Sequence, residues 1–472
     1  MTPQETEVIV VGAGPTGLML AGDLAESGVH VTVLEKRGGE SNLTRAFAVH
    51  ARTLEMLDAR GIADDLIATG TTQPRLQLLG RVDLDLSRLP SRYPFVLITP
   101  QYHTERILRD RAERAGAVIV HEAELTALAH DDTGVTATTT AGRYRGRYLV
   151  GTDGAHSAVR RLLALPFPGR FAVERVTLAD VTLTRPPARP VTLVAGPAGF
   201  GFTAPFGDGR HRFLGRRTRT PRTDAPPTLD EVRSLIIDVF GADLGLTELH
   251  WSSRFDSEER QVPHYRVGRV LLAGDAAHVH SPAGGQGMNL GIQDAANLSW
   301  KLAAVVGGWA PDRLLDSYHA ERHPVGRTVL MTTGVILRLA LLRSPVVRRL
   351  RDTAATTALR TATVSGRVTG MVSGLAVRYP APPGAHRRVG ERVPDLAVET
   401  RDGPAALYRR TAGRRFVLVS PTATTPAWPP PEHLDVVAPA ADTGRAILVR
   451  PDGHLAWVGH PDEAPTWAYR AG

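Results

Sequence analysis

The 472-residue chain contains no cysteine. Disulfides, thiolate nucleophiles and cysteine-ligated metals are therefore excluded. Lysine is nearly absent, occurring only as Lys36 and Lys301. Neither is followed by Ser or Thr, which removes the P-loop of nucleotide triphosphatases. No G-x-S-x-G occurs, so the nucleophile elbow of serine hydrolases is missing as well. Long apolar runs are also scarce. The most apolar helix candidate, Val329 to Leu342, is interrupted by Arg338 and is shorter than the ~20 residues needed to span a bilayer. A core helix is expected there, not an anchor.

Arginine supplies nearly all the positive charge behind the formal +8. It is scattered among acids with no recognition motif beside it, so no nucleic-acid partner is expected. His278-Val279-His280 places no third ligand, so no metal is expected either. The amino terminus passes straight into a strand without a charged and then apolar leader, which predicts a cytoplasmic protein without a membrane partner. With 42% apolar and 22% charged residues, the composition is that of a globular protein long enough for two or three domains.

What is present is a series of strand-to-helix corners. Glu7 to Val11 reads as a buried strand, followed by Gly12-Ala13-Gly14-Pro15-Thr16-Gly17 and an amphipathic helix to about Ser27. Val29 to Leu34 is the next strand and ends at Glu35. Strand, G-x-G-x-x-G, helix, strand and acid in this order predict a dinucleotide site. Its glycines let a pyrophosphate approach a helix amino end, and Glu35 is placed to accept hydrogen bonds from ribose hydroxyls.

A second corner, Gly151-Thr152-Asp153-Gly154, follows a strand read over Tyr144 to Val150, and an exposed carboxylate is expected at Asp153. A third follows Val270 to Ala273, where Gly274 turns the backbone and Asp275 presents its carboxylate. The glycine-rich turn of Gly284, Gly285 and Gly287 then opens a helix through Asn297 and Trp300, leaving free N–H groups and a positive dipole end. Ligands of open α/β sheets bind at such carboxyl ends of strands.

In between, Pro166 to about Trp251 alternates in the manner of strands and predicts an inserted antiparallel sheet. Phe200, Phe202 and Phe206 are evenly spaced, so on one strand they share a face. That face lines an aromatic-binding surface or packs as core. Ser41 to Glu55 carries Arg45 and the run Val49 to Glu55, which enters a helix capped near Thr53, its arginines facing either a ligand phosphate or solvent. Pro380-Ala381-Pro382-Pro383-Gly384 is a linker. Short strands follow it, with a hairpin at Pro451-Asp452-Gly453.

These motifs together resemble the class A FAD-dependent aromatic hydroxylases, of the para-hydroxybenzoate hydroxylase-like fold, and within them the aromatic polyketide subgroup. GAGPTG with Glu35, GTDGAHSAVR (Gly151–Arg160) and RVLLAGDAAHVHSPAGGQGMNLGIQDAANLSWKLA (Arg269–Ala303) carry the resemblance. HARTLEMLDARG and VRPDGHLAW extend it over nearly the whole length.

The resemblance implies an α/β fold of three parts. The first is a discontinuous Rossmann-like, glutathione-reductase-type FAD domain over residues 1–75, 100–165 and 262–380. The others are an antiparallel-sheet substrate domain over 76–99 and 166–261 and a thioredoxin-like domain over 390–472. Without cysteine the last cannot exchange dithiols and is expected to be structural.

The implied cofactor-binding residues are Gly12, Gly14, Pro15, Thr16, Gly17, Glu35, Lys36, Arg45, Gln101, Asp153, Gly274, Asp275 and Pro282. The glycine-rich helix start, Gly284, Gly285, Gln286, Gly287, Met288 and Asn289, completes them. Phe200, Phe202 and Phe206 are the substrate candidates, and no side chain is identified as a catalytic acid or base.

The implied reaction uses NADPH or NADH and O2 to hydroxylate an aromatic polyketide or related phenol through a flavin C4a-hydroperoxide, in antibiotic biosynthesis. The alternatives are oxidation of a finished antibiotic, Baeyer-Villiger insertion, or an FAD-binding module without catalysis. A halogenase is disfavoured because W-x-W-x-x-P is absent. The protein is expected to be a monomer or homodimer acting on a small aromatic molecule.

Overall fold

The computed structural model of the chain describes residues 2–39, 46–78, 82–218, 225–281, 285–340, 342, 344–400, 402–421, 433–440 and 444–460. Arg45, Pro282 and Gly284 lie outside these described residues.

The short, continuously apolar stretches Val8–Val11, Val31–Leu34, Tyr148–Gly151 and Val270–Leu272 are fully buried and run parallel in one six-stranded sheet. Unbroken hydrophobic runs suit strands covered on both faces. The sheet order is Arg266–Val267, Val270–Leu272, Tyr148–Gly151, Val8–Val11, Val31–Leu34 and Val118–Val120. Gly151 pairs in register with both Val11 and Leu272, and Val11 with Leu34. The corners that follow these strands therefore emerge side by side at one edge.

The Pro15–Glu26 helix packs between the sheet and two further helices, Gln101–Arg114 and Gln286–Val306. The last is buried from Met288 to Val306, the pattern of a central core helix.

Tyr144 to Val150, read as one strand, is two. Gly142–Gly146 belongs to a separate four-stranded sheet and Tyr148–Gly151 to the central one. The chain changes sheets at Arg147, whose Nη1 donates to the Val306 carbonyl at 2.6 Å.

The inserted sheet is antiparallel, as expected, in the order Thr192–Gly196, Gly199–Pro205, Arg210–Arg217, Gly169–Leu183, Leu246–Gln261 and His278–Val279. The helix Leu229–Phe240 covers it, started by a Thr228–Glu231 capping box. The strand Leu246–Gln261 is longer than sequence reading allowed. Its stretch LTELHWSSRFDSEERQ is largely polar, and register shifts at Asp180/Val181 and Thr182/Leu183 break the expected alternation. Its end pairs Gln261 with His278 and Arg260 with Val279, joining the middle sheet to the segment just past Asp275.

Val329 to Leu342 is a core helix on one side only, where Thr333, Leu337 and Ala340 are buried. It falls mostly in the second half of Asp316–Ala340, which continues through Pro324, and Met331, Val335 and Leu339 on it are exposed. The carboxyl-terminal strands form a six-stranded mixed sheet in which Phe416–Val419 and Leu434–Pro439 run parallel and the remaining neighbours are antiparallel. Gly453, at φ +75°, closes the expected hairpin.

Candidate cofactor and substrate site

The three acidic corners predicted from sequence lie at the carboxyl ends of adjacent strands. At the first, a Cβ on Gly17 would sit 2.0 Å from the Gly12 carbonyl oxygen, so only glycine lets the helix lie this close to the strand. A Cβ on Gly14 would meet nothing within 4 Å. That open volume sits directly at the N-cap of the Pro15–Glu26 helix, whose first N–H groups have no side-chain cap. Open space at an uncapped helix start is an arrangement that suits a phosphate group.

Glu35 is buried and folds back against the loop. Its Oε2 accepts from the Ala13 N–H at 2.7 Å, and its Oε1 accepts from the Arg37 N–H at 2.9 Å and from Arg37 Nε at 2.8 Å. Burial pushes the Glu35 carboxyl up, but the Arg37 and Ala13 hydrogen bonds and the Arg37 charge outweigh it, so its pKa lies below the ordinary value. Lys36, beside it, is exposed.

The second corner is locked to the first by Thr152, which sequence reading did not single out. Its hydroxyl lies 2.9 Å from the carbonyl oxygens of both Val11 and Gly12. Asp153 is half-buried, not exposed as expected. Its Oδ2 accepts from the Ala158 and Val159 N–H groups at 2.6 and 3.1 Å and so caps the Ala158–Leu162 helix. Its Oδ1 is buried with no hydrogen-bond partner among the described residues.

The third corner has the opposite character. Asp275 is exposed and holds no hydrogen bond among the described residues. Gly274 takes φ +60°, and a Cβ there would lie 2.7 Å from Thr16 Oγ1. Thr16 also fills the notch left by Gly291, where a Cβ would lie 2.2 Å from the same oxygen. One threonine of the first corner thus keys the third corner and the long helix together.

That helix starts at Gly285, φ +63°, with no side-chain cap on its first N–H groups. Gln286 donates to the Val372 carbonyl at 2.8 Å. Asn289 is turned inward, accepting from the His50 N–H at 2.9 Å and donating to the Ala48 and Gly285 carbonyls at 2.8 Å. Gln101 accepts from the Ala46 N–H at 2.9 Å. Asn289 and Gln101 therefore both hold the segment next to Phe47. Arg52 faces neither a ligand nor solvent. It is buried, bonding Glu55 at 3.0 Å, the Tyr408 hydroxyl at 3.1 Å and the Asp452 carbonyl at 2.5 Å, and so ties the cofactor region to the carboxyl-terminal sheet. The helix begins at Ala51, before Thr53.

Of the three phenylalanines, Phe200 and Phe206 are core residues, and Phe206 lies just past the end of its strand. Phe202 is partly open and lies tilted by 37° against Phe47, at 5.2 Å between ring centroids. Sequence reading missed what lies beside it. Arg212 is fully buried, paired with Asp180 at 2.6 Å, and its guanidinium lies 5.7 Å from the Phe47 ring, 5.2 Å from Phe206 and 6.0 Å from Trp251. Burial pulls Arg212 below its ordinary pKa, and the Asp180 charge opposes it. Alternation along Arg210–Arg217 offered no hint of a buried cation. No cluster of His, Asp and Glu able to hold a metal occurs among the described residues.

A parallel sheet with a glycine-rich first corner, an acid after the second strand and an open carboxylate after a later one defines a dinucleotide-cofactor protein. A family model described as FAD binding domain matches residues 5–333, and one described as the C-terminal part of aromatic-ring hydroxylases matches residues 386–470. The chain belongs to this family of FAD-dependent aromatic-ring hydroxylases and is an FAD-dependent monooxygenase.

Among its relatives, the 12-dehydrotetracycline 5-monooxygenase/anhydrotetracycline 6-monooxygenase of Streptomyces rimosus is 38% identical, over 97% of this chain and 96% of that protein. A rifampicin monooxygenase of Streptomyces venezuelae is also 38% identical, over 98% of each. The solved anhydrotetracycline hydroxylase of Streptomyces rimosus superposes with a TM-score of 0.87 at 37% identity, over 98% of this chain and 97% of that one.

Proposed function

We propose that this monooxygenase hydroxylates an electron-rich ring of an aromatic polyketide or related phenol in antibiotic biosynthesis, with NADPH or NADH as reductant. The single observation that carries this reading is the placement of the open Gly14 cradle and Glu35 at neighbouring strand ends, with Asp275, which holds no hydrogen bond among the described residues, at the same edge one strand beyond Tyr148–Gly151.

The donor set fits FAD. The Gly14 volume and the uncapped helix start take the pyrophosphate. Glu35 and Asp275 are carboxylates suited to ribose and ribityl hydroxyls. When bound, FAD accepts a hydride from the nicotinamide and delivers one atom of dioxygen to the substrate ring. The remaining work is the protein's. The uncapped amino end of Gln286–Val306 favours negative charge at the flavin's electron-rich edge. Phe47 and Phe202, side by side next to the segment that Gln101 and Asn289 hold, offer apolar ring surface suited to a flat substrate.

The relatives support two substrate roles, a biosynthetic intermediate and a finished antibiotic. Incubation with 18O2, NADPH and aromatic polyketides separates them and identifies the chemistry. One labelled oxygen in a ring hydroxyl of a pathway intermediate supports the proposal. Label in a lactone marks Baeyer-Villiger oxidation, and turnover of a mature antibiotic alone marks inactivation.

A further inference from the structure

The arginines, expected to be scattered among acids, stand almost without them in one stretch of this chain. From Met331 to Arg367 there are seven arginines and one acid, Asp352, so this stretch carries +6 of the formal +8. It also holds Met331, Val335, Leu339, Val346, Val347 and Leu350, more than half of the eleven large apolar side chains exposed among the described residues. Isolated exposed apolar residues are ordinary, but a contiguous group rimmed by charge marks a contact surface.

The Pro345–Leu359 helix has no buried residue. Its inner side is marked by half-covered Arg348, Arg351 and Asp352. Arg348 Nη1 donates to the Ala195 carbonyl at 2.6 Å, and Arg351 Nη1 to the Leu339 carbonyl at 2.5 Å, which fixes the helix beside the end of Asp316–Ala340. Helical spacing then turns Val346, Val347 and Leu350 outward, with exposed Arg349 and Arg360 along one flank. On the preceding helix, Met331, Val335 and Leu339 recur every fourth residue as one exposed stripe, with exposed Arg338 beside it.

The occupant of this face must be both apolar and anionic. A second copy would bring one cationic face against another. A nucleic acid would satisfy the arginines but leave Val346 and Leu350 nothing to bury against. A bilayer containing acidic phospholipids offers a surface potential for the arginines and an acyl boundary for the apolar ridge.

We propose that these helices dock the protein on an anionic lipid surface. The contact is interfacial, since no helix among the described residues is long and apolar enough to cross a membrane. The inner side of the same helices rests on the middle sheet, where Leu337 packs with Phe200 and Val176. Docking therefore places the substrate sheet close to a phase into which apolar aromatic compounds partition.

Flotation of the FAD-loaded full chain with vesicles tests this. Most of the protein is expected to float with phosphatidylglycerol–phosphatidylcholine vesicles at low salt, and little with phosphatidylcholine alone. Leu350→Glu and Arg349→Glu each lower the association about tenfold or more, with flavin content and melting temperature unchanged. Should either variant lose flavin, Arg360→Glu repeats the measurement from another turn of the same flank. The proposal is overturned if the unaltered protein ignores anionic vesicles, or if the variants float as it does. It is also overturned if sedimentation shows a dimer that Leu350→Glu dissociates without any vesicle binding, which makes the face an interface between copies.

Discussion

The Gly274 N–H donates to the buried carboxylate of Asp294 at 3.1 Å, so the corner that carries Asp275 is set from beneath by the third turn of the long helix. The same carboxylate pairs with His278 Nε2 at 2.6 Å and Arg322 Nε at 2.7 Å. Burial pushes Asp294 up, but Arg322 and His278 more than offset it and hold its pKa below the ordinary value. In Asp294→Asn the buried Arg322 loses its counter-charge, at an expected cost of about 3 kcal/mol or more in stability. FAD affinity falls with it, because Asp275 loses its fixed position. Denaturant unfolding of the apo-protein and flavin fluorescence titration check the two effects separately.

Gly14→Val leaves the apo-protein folded, since its Cβ meets nothing within 4 Å, yet fills the pyrophosphate cradle. Flavin content of the purified variant should fall close to zero. Asp275→Ala, at an exposed carboxylate, should weaken FAD retention without changing the apo-protein's melting temperature.

Glu321 accepts from Lys301 Nζ at 2.7 Å and from Arg450 Nη1 and Nη2 at 2.7 and 2.8 Å, linking the long helix to the carboxyl-terminal hairpin. Although burial raises its pKa, the Arg450 and Lys301 charges prevail and bring it down to about 2, against 4.5 for the free carboxyl. A depressed folded pKa contributes stability that is fully present above 4.5 and is lost as pH falls toward 2. Thermal unfolding between these limits should therefore show a steep acid dependence that flattens in Glu321→Gln.

Phe202 and Phe200 point to one face of a strand but differ in surroundings. Phe200→Ala opens a core cavity and should cost about 3–5 kcal/mol. Phe202→Ala, at a partly open ring, should leave stability largely intact and raise KM for the aromatic substrate with little change in flavin content. Parallel unfolding and steady-state measurements distinguish the two.

The cofactor corners were legible because each combines a local signal with a fixed place in the sheet. A continuous apolar strand must end near Gly12, Thr152 and Gly274, and Gly12, Gly154 and Gly274, all at positive φ, report the turns. The family resemblance added FAD as the ligand proposed for those corners. The orientation of their acids was not legible. Asp153 and Asp275 occupy equivalent-looking corners, yet one caps a helix whose N–H groups lie five and six residues on, and the other faces out.

Long-range pairings were hidden for the same reason. Arg52 meets Asp452, and Arg212 meets Phe47, only once distant parts of the chain pack, and Arg212 faces Asp180 through a strand register that the sequence alone leaves open. The Val329–Leu342 stretch misled because apolar composition does not say which side of a helix is covered.

Anaerobic mixing of the FAD-loaded protein with NADPH or NADH, followed by flavin absorbance, tests the central claim most directly. Adjacent strand ends that hold one flavin beside an aromatic-lined space predict bleaching that an aromatic polyketide accelerates severalfold or more. A colourless protein that takes up no FAD, or flavin reduction unchanged by every aromatic polyketide and phenol supplied, contradicts it.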